Sequence, residues 1–154
     1  MPDWMTFERL GRLNVDGTIP GSLKVKHTIF PTIERGHGYV TVRRGIYTVE
    51  MSLMGKGTEC LRFSERGLRN LLIHPVRLDL AMFLEGCIAP GMIRFGSGGI
   101  YFSKRAMKEI LLLLGGFELR KQFLLWVRNN APGVREEKQQ WVQRRIQKRR
   151  RGGR

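Results

Sequence analysis

The chain has 154 residues, enough for one domain with a real core, and its 42% apolar content and mean hydropathy of −0.27 fit a globular protein. Charge is the outlier: 28 Lys and Arg against 13 Asp and Glu give a net +15, which predicts an anionic partner such as nucleic acid, an anionic membrane surface or a charged cell envelope. Two cysteines cannot build a disulfide framework, and the chain has no CxxC or Cys/His quartet to suggest zinc; no metal or organic cofactor is expected for the function read below.

In chain order, the start MPDWMTFERL lacks a basic stretch followed by an apolar one. Synthesis in a cytoplasm without a signal peptide is therefore expected. The longest apolar runs, such as ILLLL at 110–114, are too short to span a bilayer. From about residue 5 to 103 the sequence is short segments cut by glycine. GRLNVDG alternates Leu13 and Val15 on one face and ends at the turn signal Asp16-Gly17. SLKVKHTIF alternates Leu23, Val25 and His27 against Lys24, Lys26 and Thr28, which predicts a packed His27. GYVTVRRGIYTVEMSL predicts strands over 39–43 and 46–52 broken at Gly45, while CLRFS and NLLIHPV add two more.

At Ser103 the period changes. SKRAMKEILLLLGG predicts a helix with Ser103 as N-cap, an apolar stripe of Ala106, Ile110, Leu113 and Leu114, and a stop at Gly115-Gly116. FGSGGIYF lacks the Lys-Ser/Thr of a phosphate loop, so Gly96, Gly98 and Gly99 indicate a hairpin or loop. QFLLWVRN predicts a buried strand, with a helix over 117–129 as the alternative. NNAPG then separates a domain of residues 1–130 from an extension over 131–154. Residues 133–154 hold nine Lys and Arg and two Glu, a net +7, so the remaining residues still carry +8. A helix over 134–150 that forms on an anionic surface and a disordered tail are both compatible with this pattern.

The order of motifs between 44 and 106 resembles a family of uncharacterised, largely phage-associated small domains. Their core runs P-x-G-x-Y-x-V, I-H-P-G-N, D-T-x-G-C-I and S-x-x-A before a helix. The matching residues here are Gly45, Tyr47 and Val49; Ile73, His74 and Pro75; Gly86, Cys87 and Ile88; and Ser103 with Ala106. That family in turn looks like a reduced relative of the L,D-transpeptidase catalytic fold. The resemblance implies His74 as base and Cys87 as nucleophile toward a peptidoglycan stem-peptide carbonyl, with Gly86 and the Cys87 amide at the oxyanion. Two features depart from the pattern: HPVR stands where the family has His-Pro-Gly-Asn, and Phe83-Leu84 replaces its Asp-Thr.

The residue types suit that chemistry. An isolated thiol is mostly protonated near neutral pH, and a neighbouring imidazole can take the proton to give an attacking thiolate. A glycine before the cysteine lets backbone N–H groups approach a developing oxyanion. A third group usually fixes the imidazole tautomer, and Asp79 is the candidate in sequence. Against this stands the plainer reading of His74 as a core histidine and Cys87 as a buried thiol. Cys60 is expected to be structural, and His37 an exposed loop residue.

The expected fold is α+β and predominantly β: a compact antiparallel β domain with one packed helix and a basic C-terminal helical or disordered tail. The expected function is that of a phage-type peptidoglycan-directed cysteine peptidase or L,D-transpeptidase-like enzyme. The tail residues Trp141, Arg144, Arg145, Lys148, Arg149, Arg150 and Arg151 would hold an anionic membrane or lipopolysaccharide surface, so that the protein acts at the envelope. The rival expectation is a catalytically silent basic protein that binds nucleic acid or an assembly partner.

Overall fold

The computed structural model describes residues 4–36, 41–76, 87–94 and 99–132. The elements run β1 Trp4–Arg9, β2 Ile19–Val25, β3 Thr28–Glu34, β4 Gly45–Met54, β5 Thr58–Phe63, β6 Leu72–Ile73, β7 Ala89–Pro90, β8 Ile93–Arg94, β9 Ile100–Tyr101, α1 Ser103–Leu113 and β10 Gln122–Val127. Eight strands form one sheet in the order β6-β5-β4-β10-β1-β2-β3-β7, and β8 pairs with β9 in a separate hairpin. A single parallel bridge between Ile73 and Ile88 then joins the two edges of the large sheet. The sheet is thereby nearly closed, which leaves little unpaired edge.

The fold class expected from sequence, predominantly β with one packed helix, is the one observed. The sheet is not wholly antiparallel, however. The last strand, β10, inserts between β4 and β1 and runs parallel to β1, with Trp4 opposite Leu124 and Phe7 opposite Val127.

Alternation along the strands builds the interior. Met5, Phe7, Leu23, Val25, Val49, Met51, Leu61, Phe63, Phe123, Leu125 and Val127 form one buried cluster with Ala106, Met107, Ile110, Leu111 and Leu114 from α1. The helix supplies its apolar stripe at i, i+4 spacing and stops where expected. Gly115 and Gly116 take φ values of 98° and 91°, and the Gly116 N–H donates to the Leu111 carbonyl at 2.8 Å.

β1 places a charged group inward as well. Arg9 is 2% exposed and its guanidinium grips the Glu34 carboxylate with bonds of 2.8 and 2.9 Å. It also donates to the carbonyls of Asn129 and Val42. Burial of this ion pair is tolerable because the fork geometry is bidentate and the remaining donors find carbonyls.

Several expectations are corrected. Leu13 and Val15 are not in a strand; both are exposed in the loop between β1 and β2, where Asp16 Oδ1 accepts from the Thr18 N–H in the predicted turn. His27 is exposed rather than packed, because SLKVKHTIF is a hairpin: Lys26 turns at φ 54° and Val25 pairs with Thr28. Residues 41–43 form no strand, and β4 begins at Gly45 instead of breaking there. The 117–129 segment is strand, not helix, over its β10 part. His37, Asp79, Gly86, Gly96, Gly98 and the whole 133–154 tail, with Trp141 and its arginines, lie outside the described residues.

Candidate active site at the sheet closure

The seam that closes the sheet pairs the two chain segments that carry the residues singled out from sequence. Ile88 donates its N–H to the Leu72 carbonyl at 2.9 Å, and His74 donates its N–H to the Ile88 carbonyl at 3.1 Å. Ile73 and Ile88, level with each other, both point into the interior cluster. Their chain neighbours must then point out. Leu72, Cys87 and Ala89 join a second cluster with Ile33, Cys60 and Ile100, on the outer side of the sheet. Strand alternation puts His74 on that same outer side.

In this register Leu72 stands beside Cys87, and His74 beside Ala89. His74 and Cys87 are therefore diagonal neighbours across the seam, a relation in which side chains roughly 7–8 Å apart at the backbone can still touch. The Cys87 Sγ is directed at the Asn70 carbonyl at 3.8 Å, on the side of Leu72 away from His74. Forming a thiolate–imidazolium pair takes a swing of the Cys87 side chain toward His74.

The imidazole is oriented by the main chain. His74 Nδ1 lies 2.8 Å from the Pro75 carbonyl oxygen. A carbonyl can only accept, so Nδ1 carries the proton and Nε2 keeps the basic lone pair. The third group sought in sequence is thus supplied, among the described residues, by a backbone carbonyl. Burial pushes the His74 pKa down from its ordinary 6.5, and the bond to Pro75 pushes it back up by less. The ring is neutral at physiological pH, as a general base must be.

Ser103 holds the two segments together. It was expected to cap α1, but Phe102 occupies the N-cap position in the left-handed region, φ 61° and ψ 46°, and no side chain caps the helix. Ser103 instead accepts from the Val76 N–H at 3.0 Å and donates its hydroxyl proton to the Pro90 carbonyl at 2.6 Å. One buried hydroxyl clamps the chain just after His74 to the chain just after Cys87. Gly91 continues that clamp: a Cβ there would lie 2.6 Å from the Ile100 Cβ, so only glycine lets β9 pack this close.

Beside the seam lies a cavity of about 440 Å³ lined by Met54, Thr58, Pro75, Val76, Phe102, Ser103 and Lys104. Pro75 borders His74 in the chain, and Met54 and Val76 also pack against the cluster that holds Cys87. Its size suits a short acyl or peptide segment. Among the described residues, Lys104 is the charged one on its wall.

Cys60 shares the outer cluster, and the antiparallel register of β5 with β6 sets it level with His74. It is 0% exposed, and its thiol pKa is raised from 9.0 by burial, lowered less by Arg62 and raised slightly by Cys87. Neither cysteine is joined in a disulfide. Strand β6 lies between them and they are two residues apart in register, so their Cα atoms stand roughly 11–12 Å apart, beyond the reach of a disulfide. Among the described residues no group of three or more His, Cys, Asp or Glu side chains gathers in a way that could hold a metal ion.

Comparison of the chain with protein-family models, with curated proteins and with solved structures finds no match in any of the three.

Proposed function

We propose that the chain is a peptidoglycan-directed cysteine peptidase or L,D-transpeptidase-like enzyme, acting in phage lysis, with Cys87 as nucleophile and His74 as general base. The observation that supports it is the placement of both residues on one face of the closing seam, two residues apart in register, with His74 Nδ1 tied to the Pro75 carbonyl and Nε2 left basic. In this reading Nε2 takes the Cys87 proton, and the thiolate sulfur bonds to a stem-peptide carbonyl carbon. The imidazolium then protonates the departing amine, leaving a thioester. Water resolves it in hydrolysis, an acceptor amine in transpeptidation.

The substrate segment occupies the cavity beside Pro75, where Lys104 faces a carboxylate of the stem peptide. The resemblance assigns Gly86 to the oxyanion site, and Asp79 is the sequence candidate for orienting the base. The cationic 133–154 segment, with Trp141, holds the protein at the anionic envelope. The test is incubation of the protein with purified peptidoglycan, products read by mass spectrometry. The wild type should release or rearrange stem peptides and Cys87→Ala should not; intact muropeptides in both samples would overturn the assignment.

A further inference from the structure

On the opposite side of the molecule's sheet order from the seam, β1 and β10 carry two indoles that packing does not use. Alternation turns Trp4, Thr6, Leu124 and Trp126 away from the interior, to which Met5, Phe7, Phe123 and Leu125 belong. Trp4 is 47% exposed and Trp126 43%. The parallel register sets Trp4 level with Leu124 and Thr6 level with Trp126. The indoles are thus diagonal neighbours, roughly 7–8 Å apart at the backbone.

Cations stand next to them. The Arg128 guanidinium lies 4.8 Å over the Trp126 ring, which orients its outward N–H groups. Thr6 pairs with Lys24, whose side chain is exposed on the same face. The outward charges of β1, β2 and the end of β10 are then Lys24 and Arg128 against Glu8. From Arg128 the chain runs within five residues into 133–154, with its nine Lys and Arg.

We propose that this face binds single-stranded nucleic acid, with bases stacked on Trp4 and Trp126 and phosphates neutralised by Lys24 and Arg128. Every base offers a π face to an indole, so the platform is indifferent to sequence, whereas a duplex hides those faces in its own stack. A sugar ring can also stack on an indole, but a neutral glycan gains nothing from the surrounding cations. The net +15 of the chain favours the polyanion. This inference uses no residue of the Cys87–His74 pair and stands apart from the enzymatic reading.

The test is fluorescence anisotropy of a labelled oligothymidylate of about 20 nucleotides with the full chain, against a duplex of the same length. Binding should favour the single strand and weaken steeply with salt. Replacing Trp4 and Trp126 together by Ala, which leaves charge unchanged, should weaken it about tenfold or more per indole, and Trp126→Phe should retain most of it. Unchanged affinity in the double variant would overturn the proposal by assigning binding to charge alone. Preference for duplex, or displacement by a neutral chitooligosaccharide, would overturn it too. Lys24→Gln with Arg128→Gln provides a check that leaves both indoles in place: the slope of log affinity against log salt should fall by about two, and an unaltered slope would contradict the phosphate contacts.

Discussion

Arg9–Glu34 and His74–Cys87 are both polar constellations on strands of one sheet, and they differ in how much of their bonding capacity is used. Arg9 points inward and spends its guanidinium on both Glu34 oxygens and two carbonyls; Asn129 also exchanges bonds with its backbone. His74 points outward, is half-buried, and commits Nδ1 to a carbonyl while Nε2 keeps its lone pair. A constellation whose buried charges are paired bidentately fixes structure, because removing either partner leaves a buried charge uncompensated. One that holds a base in a set tautomer beside a thiol keeps capacity for reaction.

The largest expected effect on stability follows from the first half of that contrast. Glu34→Ala strands the buried Arg9 charge and should cost about 3–5 kcal/mol in denaturant unfolding. A loss below 1 kcal/mol would mean the pair is not the anchor described. Cys87→Ser should do the reverse: muropeptide turnover disappears because a hydroxyl is far less acidic than a thiol, while stability moves by about 1 kcal/mol or less. A variant that keeps its activity removes the nucleophile.

Between these lies Ser103→Ala. Loss of its hydroxyl leaves the Val76 N–H and the Pro90 carbonyl without that partner, at about 1–3 kcal/mol, and loosens the clamp across the seam. Turnover should fall with it, and Ser103→Thr should restore part of both; a variant with lower stability and unaltered turnover would make the clamp purely structural.

The smallest effects are those of pH. The His74 pKa is depressed in the folded chain, so the unfolded state takes up a proton first as pH falls below about 6.5. Its contribution to stability is complete above that value and is lost toward the depressed pKa, and His74→Gln should flatten this slope. Cys60 has the opposite sign. Its raised thiol pKa contributes stability that is complete below 9.0 and is lost as pH climbs toward the folded value, and Cys60→Ala should remove that alkaline loss.

Much of the fold was legible because period and punctuation are local. The α1 stripe with its Gly115-Gly116 stop, the β10 run QFLLWV and the Asp16-Gly17 turn all follow from neighbours in sequence. Leu13 and Val15 alternate as a strand does, yet the adjacent WMTFER segment took the place between β2 and β10, since Met5 and Phe7 bury more apolar volume. The parallel insertion of β10 beside β1 joins residues more than a hundred positions apart, which no local pattern encodes. At the site, His74 and Cys87 were legible as residue types, but their shared face depends on the Ile73–Ile88 bridge. The orienting Pro75 carbonyl belongs to the main chain and has no side-chain signature. Ser103 was legible as a helix-start serine, and its actual task is set by two segments from elsewhere.

Whether His74 activates Cys87 is measured most directly by the rate of iodoacetamide alkylation at Cys87 across pH 5 to 9 in the folded protein. Tryptic mass spectrometry separates Cys87 from the fully buried Cys60, which serves as an internal control for unfolding. If the imidazole takes the thiol proton, the wild type reacts well below pH 8, and His74→Gln slows the reaction at pH 7 by about tenfold or more. Superimposable pH profiles in the two proteins, both rising only near the ordinary thiol pKa, would contradict the central claim.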